Sequence, residues 1–200
     1  MRTNWTTIVV CSWLLVSGLL LGGILFAQPK PADKSQKDVL SAVDRTFIIN
    51  TAEANLAEID TAKMVGKKST DPGVQQFTGR MIKDHTQANH ELATLANNYG
   101  ITLPSAPSAA DRKQQDELQK LSDPTLNEAY LRDELQGHKQ VIAEFEQEIE
   151  HGQDKAVKDF AEQTLPTLQD HIRIAEDVAG RMGMSGKAGL DTEAKAIPMK

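Results

Sequence analysis

Apolar side chains spaced by seven constrain this chain more than any other feature, because they commit it to long helices packed side by side. Val74, Met81, Ala88 and Leu95 form one row, with Thr78, His85 and Leu92 beside it. Leu131, His138 and Phe145 form another, flanked by Leu135, Val141, Ile142 and Ile149. A stripe of that period lies on one face of an α-helix and must be buried against similar stripes. Two further segments carry comparable faces. One has Val43, Phe47, Ile48, Ala52, Leu56, Ile59 and Val65; the other has Val157, Phe160, Leu165, Leu168, Ile172 and Ala175.

Local signals set the expected boundaries. The first long helix runs over about 39–68 and stops at Ser69-Thr70. Asp71 is a good N-cap and Pro72 suits the first helical position of the second helix, which Gly100 ends. After a proline-containing loop, Ser108-Ala-Ala-Asp111 starts a short helix ending near Leu121. Asp123-Pro124 repeats the cap-and-proline signal, and Thr125-Leu-Asn-Glu128 fits a capping box for the third long helix, which runs to about His151. Gly152 breaks it, Asp154 caps the fourth, Pro166 should kink that helix and Gly180 should end it. Residues 181–200 read as a loose, glycine-rich tail.

The connections fix the topology expected. Two are tight, so the first and second long helices are antiparallel, as are the third and fourth. The stretch 100–123 is long. Its short helix and about a dozen extended residues, at about 3.3 Å each, can run the length of a helix of about 42 Å. The second and third helices can then be parallel. The expected fold is all-α: a ferritin-like four-helix bundle over 39–180, with a helix-containing crossover between its second and third helices.

The first 27 residues are of a different kind. Ile8–Phe26 is apolar apart from two serines and glycines, Arg2 supplies a positive start, and Leu25-Phe26-Ala27 resembles a signal-peptidase site. The run is long for a signal peptide and just long enough to cross a bilayer, so cleaved signal and uncleaved membrane anchor both stand. Residues 28–38 are a polar linker. Either reading puts the domain outside the cytoplasmic membrane, in the periplasm or cell envelope. The one cysteine, Cys11, lies inside the leader, so a processed chain has neither disulfides nor thiolate ligands. Removing the leader takes away Arg2 and no acid, and moves the formal charge from −6 to −7. Basic residues are interspersed with acidic ones, which excludes nucleic acid as a partner. There is no glycine-rich phosphate loop, nucleophile elbow or His-Glu-x-x-His motif, so nothing marks the chain as an enzyme.

Chemistry gathers on the seams. His85, His138 and His171 lie on the apolar faces of three different helices. Asp84 precedes His85, Glu134 shares a helix face with His138, and Glu58 projects from the first helix. Buried Glu and His from facing helices are how bundles hold iron, zinc, copper or manganese. The plainer reading is that these are packing histidines hydrogen-bonded to neighbouring carboxylates. Glu148-x-x-His151 matches di-iron spacing but lies at a helix end beside Gly152 and reads as surface; His90 reads as solvated. Lys63, Lys67 and Lys68 read as a basic helix C-terminus, and Met182 and Met184 as tail residues.

Several stretches carry a family resemblance: Phe47-Ile-Ile-Asn-Thr-Ala-Glu-Ala-Asn-Leu-Ala-Glu58, Asp71-Pro-Gly-Val-Gln-Gln-Phe77, Met81-Ile-Lys-Asp-His85-Thr, Gly137-His138 and Thr164-Leu-Pro-Thr-Leu-Gln-Asp-His171. From about Asp44 to Asp177 the chain resembles the bacterial "domain of unknown function 4142" family, whose members are described as predicted outer-membrane or putative membrane proteins. The resemblance implies a ferritin-like fold and export, but no activity. It maps the family's recurrent positions onto Glu58, Asp84, His85, His138 and His171. Mid-helix Glu-x-x-His pairs of di-iron ferritins are missing. Three functions stay in view: a metal-binding or metal-buffering bundle, a non-enzymatic envelope protein that binds a partner or packs without metal, and a dinuclear oxidase.

Overall fold

The computed structural model describes residues 40–184. The leader, the linker and the stretch 185–200 lie outside them. The described residues form five helices and no strand: α1 (Ala42–Lys68), α2 (Pro72–Tyr99), α3 (Ala109–Gln119), α4 (Thr125–His151) and α5 (Lys155–Arg181). None of these helices is long and apolar enough to cross a membrane.

Most helix ends follow the local chemistry. Asp71 accepts from the Val74 N–H, with Pro72 at the first helical position, and Asp154 accepts from the Ala156 and Val157 N–H groups. Ser108 and Asp111 close a reciprocal capping box on α3. Gly100 ends α2 in the left-handed region, at φ 65°, where a side chain would be strained. Lys68 reaches from the end of α1 to the carbonyl oxygens of Gln119 and Leu121, which satisfies acceptors left open at the end of α3.

Four expectations are corrected. Helix α1 begins at Ala42 and not near Val39, because Ser41 is its N-cap and accepts from the Asp44 N–H. The capping box expected at Thr125–Glu128 does not form: Pro124 occupies the cap position and no side chain caps α4. Helix α5 continues through Gly180 to Arg181. Beyond it Met184 is buried against the core, so the chain stays packed past the expected start of a loose tail.

Helix α1 packs along α2 and α4 along α5, while α2 meets α5 and α1 meets α4; α3 lies across α1 and α4. The apolar core is not continuous. One cluster joins Val65 of α1, Val74 and Phe77 of α2, Leu126 and Leu131 of α4 and Val178 of α5. The other joins Phe47 and Ile48, Leu92, Phe145, and Phe160 and Leu168. The starts of α2 and α4 share the first cluster and their ends the second, so α2 and α4 run in the same direction. Residues between the clusters along each long helix form a buried polar layer.

Candidate metal centre

That layer is built from seam positions at which apolar residues give way to polar ones. Counting along α2, the row Met81, His85, Ala88, Leu92 is buried throughout. In α4 the inward row runs Leu131, Glu134, Leu135, His138, Phe145; in α5 it runs Phe160, Leu168, His171, Ala175. The helical period that buries these apolar neighbours therefore buries His85, His138 and His171 as well, at 5%, 3% and 1% exposure. The three rings face one another, with centroids 5.8 Å (His85–His138), 5.3 Å (His85–His171) and 5.2 Å (His138–His171) apart.

Each ring has one nitrogen turned away from this cluster, and each of those meets an oxygen. His85 Nδ1 is 2.8 Å from Asn55 Oδ1, and the Asn55 amide nitrogen is itself occupied by Asn89 Oδ1 at 3.0 Å. His138 Nδ1 is 3.0 Å from the backbone carbonyl of Glu134. His171 Nε2 is 3.1 Å from Asp84 Oδ2, and Asp84 is also paired with Arg80. A carbonyl, an amide oxygen and a carboxylate only accept, so the outward nitrogens carry the protons and donate them. The tautomers assigned from these acceptors leave His85 Nε2, His138 Nε2 and His171 Nδ1 as the inward lone pairs.

Those three nitrogens converge. His138 Nε2 and His171 Nδ1 are 3.1 Å apart, and His85 Nε2 is buried without a hydrogen-bond partner. One donor atom from each ring lies within 4.8 Å of the others. Two nitrogens ligated at about 2.05 Å to one tetrahedral ion stand about 3.3 Å apart, so the His138–His171 spacing already suits a shared ion. A cavity of about 40 Å³ borders the rings and is lined also by Asn55, Asp84, Val141, Phe145 and Leu168. It has room for an ion and a water-sized ligand.

Protonation is a poor way to relieve the cluster. Burial, and then the charges of His138 and His171, holds His85 well below the usual histidine range. Burial lowers His138 too, against the pull of Glu58, and lowers His171 against the opposing effect of Asp84. Neutral imidazole is the form that binds metal.

Glu58 and Glu134 lie on the other side of His138. Glu134 Oε2 is 3.4 Å from His138 Nδ1, and one donor atom each from Glu58, Glu134 and His138 lies within 4.8 Å of the others. Burial, followed by the Glu58 charge, pushes Glu134 well above the usual carboxyl range. The six residues singled out in the sequence, Glu58, Asp84, His85, Glu134, His138 and His171, are thus brought to one layer. They divide into a trihistidine face, the Asp84 carboxylate behind His171, and a Glu58–Glu134 face. His90 is exposed, as expected.

Glu148 is corrected: it is buried at 2% exposure, not on the surface, whereas its spacing mate His151 is exposed. Its carboxyl lies against Asp44, and Gly152 makes that possible, since a Cβ there would sit 2.2 Å from Glu148 Oε1. Asn55 was missed. It stands three positions before Glu58 on the same helix face, a spacing that offered a signal, but a lone asparagine on a helix suggests no role until its partner is known.

Comparison with known proteins places the chain. The model of the domain of unknown function DUF4142 matches residues 28–178. No curated protein sequence matches. Among solved structures, a DUF305 fragment from Deinococcus radiodurans is similar, with a TM-score of 0.64 and 15% identity over 71% of this chain and 98% of that one. At that identity the likeness is one of fold. The family match spans most of the sequence, and the chain belongs to the DUF4142 family.

Proposed function

We propose that this DUF4142 member is an exported, ferritin-like four-helix protein that holds one transition-metal ion between His85, His138 and His171. One observation carries the reading. Three buried imidazoles each meet an oxygen acceptor with the outward nitrogen, which assigns the protons there, and turn the other nitrogen toward a common point. Lone pairs so placed repel one another unless a cation lies among them. The imidazole set suits copper, zinc or iron. Oxygen acceptors behind the rings orient them and raise their basicity, and the Asp84 carboxylate offsets part of the charge an ion would bring. Export rests on the apolar leader and the signal-peptidase-like Leu25-Phe26-Ala27.

The site reads as one for holding metal, with no room for an organic substrate. Three histidines with an open fourth position are also a catalytic ligand set. Here the space beside them is about 40 Å³, which admits water but no organic substrate. The test is calorimetric titration of metal-free protein with Cu(II) and Zn(II). One ion per chain is expected, with binding abolished when all three histidines are replaced by alanine. Binding no tighter in the natural protein than in that variant removes the proposal and leaves the second function, a metal-free envelope scaffold.

A further inference from the structure

We infer that Glu58 and Glu134 form a second cation site, chemically distinct from the trihistidine site and separated from it by the ring of His138. The inference rests on the preceding reading only in that the two sites share this ring as a wall. The second site lies beside a different opening. A pocket of about 220 Å³ between α1, α3 and α4 is lined by Glu58, Glu134, Tyr130, Asp111 and Asp133. Helix α3, in the crossover, contributes Asp111, Gln114 and Leu118 to that wall.

Two observations point to a ligand there besides the acids themselves. Glu134 is 95% buried by the complement of its 5% exposure, and its Oε2 makes no hydrogen bond. Tyr130 is fully buried, and its hydroxyl, on the same pocket, also lacks a partner of proper geometry. Neither oxygen has a hydrogen bond of full geometry, and Glu58, Glu134 and Tyr130 lie close enough to share the proton that burial holds on Glu134; a cation bound there would displace that proton. His138 Nδ1 is not available as a ligand, because its proton is given to the Glu134 carbonyl. The donor set is therefore oxygen: two carboxylates, the Tyr130 hydroxyl and pocket water. Such a set selects harder divalent ions, Mn(II) and Fe(II), where the imidazole face selects copper or zinc.

The experiment uses the full chain, stripped of metal and given one equivalent of Zn(II), then titrated with Mn(II) while free Mn(II) is read by electron paramagnetic resonance. One bound Mn(II) per chain is expected. The double variant E58Q/E134Q should bind it at least about tenfold more weakly and still hold one Zn(II). Glu58→Gln alone, at a half-buried position, should weaken Mn(II) in the same direction and guards against a folding defect in the double variant. H85A/H171A should lose Zn(II) and keep Mn(II). No bound Mn(II) in the natural protein, or Mn(II) binding unchanged by E58Q, overturns this inference. Absence of Zn(II) binding overturns only the trihistidine reading.

Discussion

Two buried polar sites, one in the middle of the helices and one at their end, solve the same electrostatic problem in different ways. At the end, Asp44 is completely buried. Its Oδ1 accepts from the Gln153 N–H at 2.9 Å and the Asp154 N–H at 3.2 Å, and its Oδ2 accepts from Ser41 Oγ. The start of α1 is thereby tied to the turn between α4 and α5. Glu148 beside it is resolved by a proton: burial, with Asp44 alongside, pushes it up to about 7. At the three histidines in the middle, the outward nitrogens meet acceptors, the inward nitrogens face one another, and burial disfavours the extra proton that would reconcile them. The difference teaches which buried polar groups are structural. At Asp44 and Glu148 donors and a proton reconcile the buried oxygens; at the three histidines burial disfavours the proton, which is the feature the metal proposal starts from.

The strongest way to break this comparison is to add metal. Zn(II) or Cu(II) at about a thousand times its dissociation constant should stabilise the natural protein by about 4 kcal/mol, seen as a higher melting temperature that a chelator reverses. His171→Ala should erase that gain, and Glu148→Gln should keep it. Equal stabilisation of all three proteins would make the two sites alike.

Next in size is the end site. Asp44→Ala strands two buried backbone N–H groups and Ser41 Oγ without their acceptor, and should cost about 2–3 kcal/mol in urea unfolding. The variant should bind metal normally, which separates the anchor from the centre. Loss of both stability and metal would show that the layers are not independent.

The smallest effect sharpens the contrast by pH. Glu148 is raised from 4.5 to about 7, so the folded protein holds its proton more tightly than the unfolded chain. Its contribution to stability is fully present below about pH 4.5 and is lost as the pH rises through about 7. Asp44 runs the other way: it is lowered from 3.8 by Ser41, Glu148 and the two backbone N–H groups against the effect of burial, so its contribution is lost only as the pH falls below that value. Glu148→Gln should flatten the melting temperature between pH 5 and 8 and leave the variant about 1 kcal/mol more stable than the natural protein at pH 8. A slope that survives the substitution assigns it to another group.

Misreadings of the sequence fall where distant segments meet. Glu148 reads as a surface residue because it sits one turn from Gly152 at a helix end, and nothing nearby reveals Asp44, which arrives from the start of α1. Thr125-Leu-Asn-Glu128 has the letters of a capping box, yet Pro124 takes the cap position. Helix α5 outlasts Gly180, and the chain beyond packs on because Met184 finds a place in the apolar cluster of Val65 and Val178.

What the sequence determined alone is the set of long helices and the burial of three histidines on their seams, since caps, turns and a seven-residue period act over a few neighbouring positions. Only the tertiary structure decided which nitrogen of each ring is bare. His85 is oriented by a residue 30 positions away and His171 by one 87 positions away, and the Glu134 carbonyl that holds His138, though only 4 away, matters because the ring then faces the other two. A tautomer is set by the atom in contact with the ring, and for two of these three rings that contact exists only once separate helices have packed.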